Sequence, residues 1–294
     1  MKKKMVLGMF VVLVLAMLAC ATKGIKVEPS QQAKIALVLG AGSSKGFAHI
    51  GVIKVLEMNK VPIHMIIGTS VGSAVGSLYA YGYNAFQLQQ LSFTIEKKDI
   101  VDLVIPDNGF IKGEKLEEFV NKTLNNTPME RLKIPFYAVA TDIQSGQEIV
   151  FGKGNTGQAV RASCSIPGVF RPVTIGDKMY VDGGVVSPVA VDAAKRLGAD
   201  IVIAVDISGG ADRTQPTSTI ETIFQTYSIM YAKLASIQIS KADVVIRPKV
   251  GYISSSDFSK RHEAVLEGEK AALEILPNLM QIINKLKEAG RLEK

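Results

Sequence analysis

A serine held between two glycines, where a strand gives way to a helix, constrains this chain more than any other feature. Met65-Ile66-Ile67 is a short apolar run that reads as a strand, and Ser73 to Tyr79 follows with a helical pattern. Between them lies Gly68-Thr69-Ser70-Val71-Gly72. G-x-S-x-G in strand–turn–helix context is the layout of a nucleophile elbow, and its competitor is a plain structural turn. The glycines tolerate a tight backbone and leave the Ser70 hydroxyl uncovered. The helix after it aims its first N–H groups at any negative charge formed there.

A second glycine cluster has the same placement. Lys34 to Leu39 reads as a buried strand, Gly40-Ala41-Gly42-Ser43-Ser44-Lys45-Gly46 as a turn, and Phe47 to Asn59 as a helix. A Rossmann fingerprint needs its third glycine where Lys45 stands. A P-loop needs Gly-Lys-Ser/Thr, and the order here is Lys45-Gly46-Phe47. The third reading is an oxyanion hole, in which main-chain N–H groups receive charge developed during acyl transfer. Both glycine turns end strands of one parallel sheet, and ligands bind such sheets at the strands' carboxyl ends. That shared location favours the oxyanion reading. Lys45 is expected to anchor the loop or its helix.

Lys178 to Val181 reads as a strand, followed by Asp182-Gly183-Gly184. Alone this is a common turn. Beside a serine nucleophile, the Asp182 carboxylate becomes a candidate base.

These blocks, in this order, resemble the patatin-like phospholipases: Gly40-x-Gly42-x-x-Lys45-Gly46, Gly68-x-Ser70-x-Gly72, Arg161 to Phe170, and Asp182-Gly183-Gly184. Phe47-Ala48-His49-Ile50-Gly51 and Ala140-Thr141-Asp142 also resemble bacterial members, and the likeness runs over about residues 34–250. The resemblance implies an α/β three-layer sandwich, with a central, mostly parallel sheet flanked by helices. It implies a Ser–Asp dyad acyl hydrolase with Ser70 as nucleophile, Asp182 as base and an oxyanion hole around Gly40, Gly42 and Ser43. No metal or organic cofactor is implied. The substrate would be a membrane phospholipid, a lysophospholipid or another fatty acyl ester.

The histidines frame the alternative. An α/β-hydrolase triad runs Ser, Asp, His along the chain, and Ser70, Asp206 and His262 have that order. Asp206 closes the apolar run Ile201 to Val205, but His262 sits in a polar helix start. His49 reads as a packed or capping histidine and His64 as structural.

The start of the chain suggests where it works. Met1-Lys2-Lys3-Lys4 is basic, Met5 to Ala19 is an apolar run of 15 residues, and Cys20 comes next. A spanning helix needs about 20 residues, whereas this run fits a secretory h-region. Met17-Leu18-Ala19-Cys20 resembles a bacterial lipoprotein cleavage box, which implies lipidation of Cys20 and a place in the cell envelope on the outer or cell membrane. Residues 1–19 are then a signal, 20–33 a polar tether spanning roughly 20 Å, and 34–290 one α/β domain. Cys164 would have no disulfide partner and reads as a buried thiol near the site. The net charge of +7 falls by three if the leading lysines leave. Such a balance suits an anionic membrane surface. No basic block carries the aromatic interleaving of a nucleic-acid binder.

Farther along, Ile220, Ile223, Phe224, Tyr227, Met230, Tyr231, Leu234 and Ile237 recur at helical spacing and read as a core face, or else an acyl-binding or membrane-facing wall. Gln87 to Leu124 reads as an irregular helical lid or specificity region. Pro277 should break the helix spanning Val265 to Leu286. The function classes left are a tethered acyl hydrolase, an acyltransferase using the same residues, and a non-catalytic lipid-binding lipoprotein.

Overall fold

The computed structural model describes residues 32–105, 108–209 and 215–293. The expected signal, Cys20 and the tether as far as residue 31 lie outside the described residues. An eight-stranded sheet forms the middle layer. Its strands are β1 (Ile35–Leu39), β2 (Met65–Thr69), β3 (Phe136–Asp142), β4 (Glu148–Phe151), β5 (Val173–Ile175), β6 (Lys178–Asp182), β7 (Ile201–Val205) and β8 (Val244–Ile246). The order is β5-β6-β3-β2-β1-β7-β8, with β4 paired to β3. From β3 through β8 the neighbours run parallel, while β4, β5 and β6 pair antiparallel.

The central strands are apolar throughout because both faces are covered. Ile35, Leu37, Leu39, Ile66 and Ile203 point to one face. There they pack with helices α1 (Phe47–Met58), α2 (Val71–Tyr81), α3 (Ala85–Thr94), α5 (Glu114–Thr123), α6 (Thr156–Ser163) and α9 (Arg261–Glu288). The short α4 (Lys97–Ile100) lies between α3 and α5. Ala36, Val38, Val202 and Ala204 point the other way, against α7 (Val191–Arg196) and the end of α8 (Thr219–Gln238). The result is the three-layer α/β arrangement expected from the sequence.

Two expectations fail. Pro277 sits inside an unbroken α9. Its ring removes a donor from the carbonyl four residues back, and that residue, Leu273, lies on the solvent-exposed side of the helix, where the lost bond is least costly. The apolar stripe on α8 is not core: only Tyr231 and Ala235 are buried, while Met230 and Ile237 are exposed. Helical spacing defines a face but does not supply a layer to cover it. Among the described residues, no helix is long and apolar enough to cross a membrane.

Candidate active site

Sheet register brings Ser70 and Asp182 to one place. Ala138 to Thr141 of β3 pair with β4 along one edge. The opposite edge is shared by two strands laid end to end. Strand β2 occupies it as far as Val139, which pairs with Thr69, and β6 takes over at Ala140, which pairs with Asp182. The residue after Thr69 is the elbow serine. A seam between two strand ends therefore carries both side chains.

The elbow is tight. Ser70 adopts φ +55° and ψ −128°, a conformation a non-glycine residue holds at a cost of about 1–3 kcal/mol. Gly72 explains its own place: a Cβ there would run into the carbonyls of Leu39 and Gly40. Ser163 fastens the elbow to the sheet, its hydroxyl donating to Val139 O at 2.6 Å while accepting from Ser70 N at 2.9 Å. Two residues on, Ser165 O accepts from Asp182 N at 2.8 Å. The Arg161 to Phe170 block thus holds both sides of the seam.

Asp182 is completely buried and Ser70 is 3% exposed. Asp182 Oδ1 accepts from Gly184 N at 2.7 Å and from the Tyr231 hydroxyl at 3.2 Å. Oδ2 has no hydrogen-bond partner among the described residues. Burial pushes the Asp182 carboxyl up to about 6, against the opposing pull of the Ser70 hydroxyl, the Gly184 N–H and the Tyr231 hydroxyl. The two side chains share no hydrogen bond among the described residues, and catalytic hydrogen bonds often tighten only when substrate binds.

The glycine loop borders the same seam. The three residues expected around an oxyanion hole differ in what they offer. Gly40 gives its N–H to Val205 O at 3.1 Å, continuing the sheet, and so has no donor to spare. Neither the Gly42 nor the Ser43 N–H has an acceptor among the described residues. Ser43 has φ +51°, and its hydroxyl donates to Ser255 O at 2.7 Å. Lys45 is buried, with its Nζ 3.4 Å from Ser208 O, which fits an anchor of the loop.

Ser70 and Ser43 line a cavity of about 180 Å³. Its walls are almost wholly apolar: Leu78 from α2, Leu88 and Leu91 from α3, Leu116 and Phe119 from α5, and Phe170 and Phe258 from loops. The helical stretch within Gln87 to Leu124 therefore supplies one wall of the cavity. Cys164 also lines it. Burial raises the Cys164 thiol well above its ordinary range, so it stays protonated and poorly nucleophilic.

The alternative triad does not assemble. His262 is exposed and lies against Phe93, with ring centroids 6.1 Å apart. Asp206 Oδ1 accepts from Ser208 N, and Oδ2 lies 3.7 Å from Arg247 Nε. His64 Nδ1 accepts from Ile35 N at 3.0 Å, a structural link. The sequence reading missed Tyr231 as a partner of Asp182 and Ser163 as a partner of Ser70. No local signal marks either one, because each bond spans 49 or 93 residues.

With this geometry in place, comparison with known proteins defines the class. A family model described as patatin-like phospholipase matches residues 37–195, more than half of the chain, and the chain belongs to that family. Uncharacterized NTE family proteins of Mycobacterium bovis and Mycobacterium tuberculosis are each 32% identical to it over 208 residues. The match covers 68% of this chain and 58% of those proteins. A lysophospholipase NTE1 of Debaryomyces hansenii is 33% identical over 186 residues, covering 61% of this chain and 12% of that protein. Among solved structures, VipD from Legionella pneumophila superposes with a TM-score of 0.57 at 12% identity, covering 84% of this chain and 67% of that one. At that identity the likeness is one of fold.

Proposed function

We propose that this protein is a serine acyl hydrolase of the phospholipase A or lysophospholipase type, using Ser70 and Asp182 as a dyad. The observation that carries the reading is the seam itself. A strained serine and a buried carboxylate lie at the seam beside an apolar cavity, and among the described residues one carboxylate oxygen and two nearby main-chain N–H groups have no hydrogen-bond partner. Relatives named lysophospholipases support the same class.

The chemistry arises from those positions. The cavity takes the acyl chain, because a polar headgroup would find almost no partner on its walls. The Ser70 hydroxyl attacks the ester carbonyl and gives its proton to Asp182 Oδ2. A carboxyl held at about 6 is ionised at neutral pH, yet is a better base than an exposed aspartate. The tetrahedral oxyanion is received by the Gly42 and Ser43 N–H groups. Asp182 then protonates the leaving alcohol. Water, deprotonated by the same carboxylate, releases the fatty acid from the acyl-enzyme.

The lipoprotein-like box at Cys20 supports a membrane-tethered enzyme, and a mass spectrum of the mature amino terminus tests that part. The catalytic reading is tested by assaying Ser70→Ala, Asp182→Asn and His262→Ala, each shown to be folded, on a nitrophenyl ester and a lysophospholipid. Loss of activity in the first two with the third near wild type is expected. Retention in Ser70→Ala, or severe loss in His262→Ala, would overturn it.

A further inference from the structure

His49 lies on α1 behind the glycine loop, wholly buried and outside the cavity. Its Nε2 is 2.8 Å from Gly40 O. Only a protonated nitrogen can face a carbonyl at that distance, so the ring is the Nε2–H tautomer. Its Nδ1 then has a bare lone pair, and among the described residues no donor reaches it. Burial lowers the ring's pKa to about 4, so it remains neutral. A buried acceptor without a partner costs free energy that an apolar side chain of the same volume would not. The one thing the imidazole adds at this position is its N–H to Gly40.

That bond shapes the loop immediately beyond Gly40. In an ordinary tight turn the Gly40 carbonyl would accept from the N–H three residues on, which belongs to Ser43. Here His49 takes the carbonyl, and the Ser43 N–H is left without an acceptor among the described residues. The other end of the same peptide is also fixed, since Ala41 N donates to Pro188 O at 2.9 Å. Beyond Ser43, the loop is tied to residues 254 and 255 through the Ser43 and Ser44 hydroxyls. The two unpaired amides sit between clamped ends.

We propose that His49 is a positioning residue for acyl transfer: by holding the Gly40 carbonyl away from the loop, it keeps the Gly42 and Ser43 N–H groups open to the oxyanion. The proposal rests on the reading of Ser70 as nucleophile. His49 touches no reacting atom, and its effect belongs to the transition state and not to substrate binding.

The test compares His49→Gln with His49→Met in the full-length protein. The two replacements are close in shape, but only glutamine carries an N–H near the Nε2 position. Nitrophenyl ester hydrolysis, inhibition by an alkyl trifluoromethyl ketone and the melting transition are measured for each. In His49→Met, kcat should fall about 10²–10³-fold, the scale for a lost oxyanion donor. KM should stay within about threefold, and affinity for the ketone, which forms an oxyanion on the serine, should fall in parallel. His49→Gln should recover at least about tenfold of the lost kcat. Equal kcat in the two variants, an effect confined to KM, or loss of folding in either would overturn the proposal. Wild-type inactivity, or activity that survives Ser70→Ala, would instead sink the nucleophile reading beneath it.

Discussion

The Tyr231 hydroxyl donates to Asp182 Oδ1 at 3.2 Å, across 49 residues of sequence. Tyr231 belongs to the one stretch of α8 that is buried, and Gly184 makes room for it, since a Cβ at 184 would overlap its ring. The contact satisfies one carboxylate oxygen, while the other has no hydrogen-bond partner among the described residues. It also favours the ionised carboxylate, because a donated hydrogen bond stabilises the charged form.

Removing that hydroxyl should therefore move the pH dependence of the reaction. Activity is expected to rise as Asp182 ionises, with the acid limb of kcat/KM near pH 6. In Tyr231→Phe the limb should shift upward by about one pH unit, the scale of a hydrogen bond to a charged group. Activity well above the limb should change less. A pH–rate profile checks this, and an unmoved limb would disconnect Tyr231 from the base.

The same carboxyl makes a prediction for stability. Its folded value of about 6 lies above the 3.8 of an unperturbed aspartate. Between about pH 4 and 6 the native state binds more protons than the unfolded one, so this group makes stability fall as pH rises. Asp182→Asn removes the buried charge. The variant should melt higher than wild type at pH 8, by an amount on the order of 2–3 kcal/mol, with the difference vanishing near pH 4. Matched thermal melts at the two pH values measure it, and a gap that widens toward acid would contradict the assigned sign.

Ser163 is the bolt between elbow and sheet. In Ser163→Ala both Ser70 N and Val139 O lose their partner in a buried place. A cost of about 1–3 kcal/mol in stability is expected, together with a lower kcat as the strained serine relaxes. Denaturant unfolding and single-turnover hydrolysis report the two effects. Full activity with full stability would show the bond to be idle.

Cavity shape should set the acyl preference. Leu91 is a half-buried wall residue on α3. Leu91→Trp should fill the space and lower kcat/KM for long-chain esters by about tenfold or more relative to a butyryl ester. A chain-length series of nitrophenyl esters reads this directly. A uniform loss across all lengths would place the acyl chain elsewhere.

How much of this was legible in the sequence depends on how local each feature is. The Ser70 elbow and the Gly40 loop announce themselves because tight backbone turns demand glycine within a few residues. Asp182 looks like an ordinary turn, and only its company in the Arg161 to Phe170 and Ser70 blocks marks it out. The end-to-end meeting of β2 and β6 has no sequence signature, since it arises from how β3 divides its edges. Tyr231 hid in an apolar stripe that the structure leaves mostly uncovered. His49 reads as a packed histidine, and packed it is. The carbonyl it holds could be found only in three dimensions.

The central claim is that Ser70 becomes covalently acylated, and the most direct measurement is peptide mass mapping after treatment with a fatty alkyl fluorophosphonate. A single adduct on the peptide containing Ser70 is expected, forming much more slowly in Asp182→Asn and absent in Ser70→Ala. Adduct formation on another residue, or hydrolysis that continues after Ser70 is fully modified, would contradict it.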